Sequence, residues 1–284
     1  MKKYEYNDAT GDFDIVELYF DEGLATAGKH GYEKIRIRNS LDTPTAWKID
    51  LGALTDNREI KSLTIDDDVH LGKVDLDPIY EMKALQKLSI NCSKIDLDFP
   101  RLSNLKILFV VSPRKTIEEI PIPGLEELLL SGTKNEDLEF LSDLKHLGFL
   151  RISGGKFIRF GGIEKLGALK KIRVDYCSRL EDISAIKKLP ELVDVHIEKC
   201  PKIKDYSFLC GNDSIEELFV SDVDSLSFID EMKNIRKLQF WNLIDGDMEP
   251  ILKSNSLKEV NFYPDKKNYT HTKAAVKEIL ARRQ

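Results

Sequence analysis

The chain has 284 residues, 42% hydrophobic and 32% charged, with 49 acidic against 43 basic side chains and a formal net charge of −6. That balance belongs to a globular chain long enough to bury a core without metal or disulfide staples. It holds no apolar run near the ~20 residues of a membrane span, and its mild acidity argues against nucleic acid and anionic membrane as partners.

In chain order, the opening Met1-Lys-Lys-Tyr-Glu-Tyr-Asn-Asp lacks the apolar stretch of a secretory leader. Four cysteines without a CxxC pair fit a reducing compartment, so a cytoplasmic location is expected. Ile15-Val-Glu-Leu18-Tyr-Phe20 reads as a cap strand, and Tyr32-Glu-Lys-Ile35-Arg-Ile37 as a degenerate first repeat with Leu51 and Leu54 in its return segment. A pattern of apolar-x-x-apolar-x-apolar then recurs with starts at 60, 85, 105, 125, 147, 169, 192, 215, 235 and 257, so that successive units are 20 to 25 residues long. Each hexad is predicted to be a short strand whose fourth and sixth residues share the buried face, because strand side chains alternate. The return to the next, parallel strand is legible in Leu180, Ile183, Ile186, Leu189 and Leu192, apolar at every third position, which suits 3₁₀ turns. Near the end, Thr272 is placed to cap a helix running to about Arg283, with Val276, Ile279 and Leu280 as its apolar stripe.

These hexads resemble the leucine-rich repeat family, and the return segment Glu181-Asp182-Ile183 to Leu192 is similar to the 22-residue repeats of bacterial internalins. The resemblance implies an α/β solenoid with a curved parallel β-sheet on its concave face and short 3₁₀, helical or irregular convex segments. It divides the chain into an N-terminal cap over 1–31, a solenoid of about 10–11 repeats over 32–264 and a C-terminal cap helix over 265–284. The family's ladder asparagine is replaced here by Ser93, Pro113, Thr133, Gly155, Cys177, Cys200, Val223 and Leu243. Irregular turns are therefore expected. The secretion signals and wall anchors of internalins are also absent from the sequence.

Motifs of chemistry are sparse. No His/Cys/Asp spacing matches a zinc site, Asp66-Asp67-Asp68 lacks the order of a calcium loop, and Gly154-Gly155 and Gly161-Gly162 fit no phosphate-binding motif. No cofactor and no metal are expected. Cys177 and Cys200 occupy equivalent positions in adjacent repeats, about one strand spacing of ~4.8 Å apart. That separation permits either a disulfide or, as a reducing compartment favours, two small packed thiols. The best acid/base set is His196 with Asp175 and Glu198, for which nothing supplies a nucleophile or a closed pocket; the expectation is no enzyme.

The outward strand positions are more informative. Ile107, Phe109, Val111, Leu129 and Phe149 form an apolar set, and Phe219, Trp241 and Tyr263 an aromatic one. Between them in sequence lie Arg151, Lys171, Arg173, Asp175, Asp194, His196 and Glu198. Apolar clusters rimmed by charge mark binding surfaces. The alternative for the first set is a strand buried on both faces, covered by the Pro113–Pro123 loop or by the N-terminal segment. Lys34, Arg36 and Arg38 form the one small basic stripe, too short for nucleic acid. The function expected is a monomeric, non-catalytic module that binds a protein partner in its concave face, with an inhibitor or toxin-immunity protein as one form of it. The alternatives are a self-associating solenoid, with the apolar sets as homodimer contacts, and the enzyme just described.

Overall fold

Each hexad becomes a strand, and every one but the last, where Val260 is only half-buried, buries both residues that the alternation selects. The computed structural model describes residues 2–40, 48–57 and 59–282. The chain divides into two compact units, Met1–Thr133 and Lys134–Gln284. In the first, β1 (Tyr4–Asn7), β2 (Asp12–Val16), β3 (Lys34–Arg38), β4 (Ser62–Ile65), β5 (Lys87–Asn91), β6 (Ile107–Val111) and β7 (Glu127–Ser131) stand side by side in chain order. All these pairings are parallel except the β1–β2 hairpin. In the second, β8 (Phe149–Ser153), β9 (Lys171–Asp175), β10 (Asp194–Glu198), β11 (Glu217–Val223), β12 (Lys237–Leu243) and β13 (Glu259–Phe262) form the same parallel order.

The register puts like on like. Leu88, Leu108 and Leu128 are opposite one another in the first unit. Leu150, Ile172, Val195, Leu218, Leu238 and Val260 line up in the second. All of these but Val260 are buried, and each contributes about 1.5–3 kcal/mol by leaving water. The return segments follow the threefold spacing. Leu180, Ile183, Ile186, Leu189 and Leu192 are all buried, around a 3₁₀ turn at Ser184–Lys188. An aspartate opens several of these turns: Asp137, Asp182 and Asp205 accept the backbone N–H two residues on, at 3.3, 2.8 and 2.8 Å.

The inner turns are regular, contrary to expectation. Ser112, Gly132, Gly154, Tyr176 and Lys199 each follow a strand, and each has a left-handed φ of 50 to 65°. Within each unit such turns bond to the next strand: the N–H of Ser112 donates to Ser131 O at 2.8 Å, and that of Tyr176 to Glu198 O at 3.0 Å. At two of these turns cysteine thiols stand where the family has an asparagine amide. The Cys177 thiol meets Gly154 O at 3.2 Å and Asp175 O at 3.5 Å, and that of Cys200 meets Glu198 O at 3.4 Å. Both thiols are free, so the pair packs without a disulfide.

The N-terminal segment differs from the cap strand expected over Ile15–Phe20. The strand ends at Val16; Leu18 falls in a 3₁₀ turn, and Phe20 opens α1 (Phe20–His30). Phe20, Leu24 and Ala27 form the buried stripe of α1. Gly23 lets the helix approach β2, since a Cβ there would lie 2.5 Å from Ile15 Cγ2. Short helices α2 (Asp77–Tyr80) and α3 (Glu249–Lys253) replace 3₁₀ turns in two return segments. At the other end α4 (Lys273–Ala281) packs on β13, with Val276 and Leu280 buried and the Thr272 hydroxyl accepting the Ala275 N–H at 3.3 Å. Arg283, where that helix was expected to end, lies outside the described residues. No described helix is long and apolar enough to cross a membrane.

Candidate functional site

Alternation leaves the third and fifth hexad residues, and the one after the hexad, on the open face of each sheet. In the first unit the basic stripe is largely spent on acids. Arg36 grips Asp66 through two bonds of 2.8 and 3.0 Å, which raise the pKa of its guanidinium. Arg38 lies 3.5 Å from Asp14 and 3.7 Å from Glu5. These acids come from β1, β2 and the end of β4, and they leave little of the stripe for phosphate.

Phe109 of β6 stands between Ser89 and Leu129 in register, with the Lys87 ammonium 5.4 Å from its ring centre. Ile107, Phe109, Val111 and Leu129 are half-buried, in strict alternation with buried Leu108, Val110, Leu128 and Leu130. The strand is thus not buried on both faces. The loop of residues 113–119 lines a cleft with Cys92 and Val110, whose side chains belong to the opposite, inner side. Phe149, grouped with this set by sequence, belongs to β8 of the second unit, where it pairs in register with Lys171.

The second unit carries the more developed surface. One cross-strand row runs Arg151, Arg173, His196, Phe219, Gln239 and Asn261. The His196 and Phe219 rings stack at 4.2 Å between centroids, 14° from parallel. The Trp241 ring meets Phe219 edge-on at 5.3 Å and 84°, an arrangement aromatic quadrupoles favour. Trp241 is 38% exposed. Tyr263, just past β13 and 77% exposed, makes no ring contact among the described residues. The aromatic group therefore consists of His196, Phe219 and Trp241, with Tyr263 outside it.

Charges flank this row in pairs. Asp175, only 5% exposed, accepts from Arg151 Nε at 3.1 Å and from the Ser153 hydroxyl. His196 Nε2 and Glu198 Oε2 are 3.2 Å apart. Lys171 lies 3.7 Å from Asp194, and Lys237 lies 3.9 Å from Glu217. Asp175 and His196 share no hydrogen bond among the described residues, so the acid/base set is split between two separate pairs. Nor do any three His, Cys, Asp or Glu side chains among them converge to hold a metal ion.

Two features of this edge escaped the hexad rule. Beyond their hexads β11 and β12 continue for a further turn of the ladder, where Asn242 donates to Asp222 at 3.0 Å and accepts from Lys266. Tyr176, 55% exposed, and Lys199 are joined at 3.0 Å in neighbouring turns. Their left-handed φ was not legible, because neither residue type favours it.

No protein-family model matches the sequence, and no curated protein matches it. Among solved structures the chain is similar to an internalin (inlF) from Listeria monocytogenes, with 13% identity over 90% of this chain and 83% of that one, at a TM-score of 0.53. An internalin C2 (inlC2) from the same organism shows 20% identity over 57% of this chain and 72% of that one, at 0.46. The structure of PEPR1-AtPEP1 shows 17% identity over 82% of this chain and 32% of that one, at 0.42. The first likeness, joined to the repeated hexads, the parallel register and the 3₁₀ returns, shows that the chain has the leucine-rich repeat fold.

Proposed function

We propose that the chain is a non-catalytic protein-interaction module that takes a protein partner on the open, concave face of its repeats. The observation that carries this reading is the outward aromatic group of half-buried His196 and Phe219 with exposed Trp241, set among paired charges. Exposed apolar groups rimmed by charge are the usual composition of a binding patch, and Trp and Tyr are enriched where single residues dominate affinity. Phe109, Val111 and Leu129 form a second anchor in the first unit, and Phe149, Arg151, Arg173, Asp175, Glu198 and Tyr263 complete the surface in the second. Residues 1–31 and 265–284 are read as caps over the open ends of a repeat stack spanning 32–264. The chain acts as a monomer in the cytoplasm. Within this class it is an inhibitor or immunity protein, whose acidic balance of −6 suits a basic target such as a toxin.

The test is affinity capture from a native lysate by wild type and by a Phe109→Asp/Trp241→Ala variant of equal thermal stability, followed by titration of the purified captured protein. The reading predicts stoichiometric capture by wild type alone. Equal capture by both would move the site off this face. Capture of nothing but further copies of the same chain would replace the reading with self-association.

A further inference from the structure

Resting on the binding reading above, the geometry points to a specific demand on the partner: a carboxylate side chain next to an apolar one, the acid received by Arg173 and the apolar group by Phe219 and Trp241. Along the strand rows from β8 to β12 the outward charges pair off at every position but one. Arg151 and Arg173 are directly opposite in register, a like-charge juxtaposition that costs stability unless acids answer both. Asp175 answers only Arg151, at 3.1 Å. The next residue in the row, His196, leans to Glu198. In the row below, Asp194 is answered by Lys171 and Glu217 by Lys237. Arg173 remains exposed, with no acid paired to it among the described residues.

Its surroundings make this more than a solvated arginine. Arg173 lines a depression of about 150 Å³ with Asp194, His196, Glu217, Phe219, Lys237 and Gln239. The stacked rings of His196 and Phe219 are part of its lining, and Trp241, outside the depression, stands edge-on against Phe219. The guanidinium fork is shaped to take both oxygens of one carboxylate. Both acids in the depression already have lysines beside them, so an incoming carboxylate meets one unanswered cation in a largely polar hollow, with Phe219 at its side. A basic side chain would add a second positive charge beside Arg173 and Arg151, and the site rejects it.

A phage-displayed library of random 12-residue loops, selected on the full chain, tests this. Wild type is expected to enrich loops with Asp or Glu beside an aromatic or aliphatic residue. Arg173→Gln should weaken those loops tenfold or more with no fall in melting temperature. Among the described residues the side chain has no acid to lose, and its removal relieves the like charge facing Arg151. Arg173→Glu should be rescued by a loop whose acid is changed to Lys. Loops weakened by Trp241→Ala but not by Arg173→Gln would overturn the acidic assignment and leave the binding face standing. Loops indifferent to both substitutions, or no enrichment at all, would overturn the assignment together with the face.

Discussion

The Asp182 carboxylate accepts the Ser184 backbone N–H at 2.8 Å. Hydrogen bonds from Ser184, helped by the charge of Arg159, hold its pKa below the ordinary 3.8. A depressed carboxylate stabilises the fold at pH values above that ordinary range, and the contribution is lost as pH falls through the folded-state value. Asp182→Ala should therefore cost about 1 kcal/mol at neutral pH, the usual worth of such a cap. The gap in melting temperature between the two proteins should close below about pH 4; a gap that persists in acid would contradict this role. The thiols give a second prediction. Burial pushes Cys92 up to about 12, and Cys177 is raised by its bond to Cys200 and by burial. An aromatic disulfide reagent at pH 8 should titrate all four cysteines in urea, but leave Cys92, Cys177 and Cys200 unreacted in the native protein, Cys200 through burial alone, since its hydrogen bond with Cys177 lowers its pKa. Rapid native labelling of any of these three would show that the ladder opens. At this scale, period 2 was enough to read most of the buried strand residues, though not outward Asp175, Ser62 and Ser221, which are buried as well. Which acid answers which arginine was not legible, because Asp66 lies 30 residues from Arg36 and only register brings them together.

Strands and returns followed from spacing alone, since each hexad carries its own burial signal. The N-terminal hairpin and α1 did not, although Phe20, Leu24 and Ala27 stand at helical spacing. Ile15, Leu18 and Phe20 mimic a hexad, and two glycines within α1 weaken its helical propensity. Turn regularity was hidden for another reason: the family's asparagine is replaced by unlike residues, of which only Cys177 and Cys200 supply a side-chain donor in its place. Close packing of one return on another is concentrated at Gly162. It has a φ of 93°, and a Cβ there would lie 2.6 Å from Glu139 Cα. Gly162→Ala should thus destabilise by about 2–3 kcal/mol, combining backbone strain with overpacking against main chain. Chemical denaturation measures this directly, and a loss under 0.5 kcal/mol would mean that the two returns are not held as described.

On the scale of the molecule, burial divides the strands between their two faces, and the binding we propose falls on the outward one. Inward residues hold the repeats together and tolerate little change, whereas His196, Phe219 and Trp241 make few contacts that the fold requires. Trp241→Ala should leave the melting temperature nearly unchanged while removing a dominant contact, which at an interface is worth 2 kcal/mol or more. Phe219 and Trp241 were legible as one aromatic set; that His196 joins it and Tyr263 stands outside was not, because His196 reads as part of the charged positions. The most direct measurement is the dissociation constant of the purified captured partner for wild type and for Phe219→Ala/Trp241→Ala at matched stability. The account predicts a weakening of a hundredfold or more, about 2.7 kcal/mol. Equal affinities would contradict it and place the partner elsewhere on the chain.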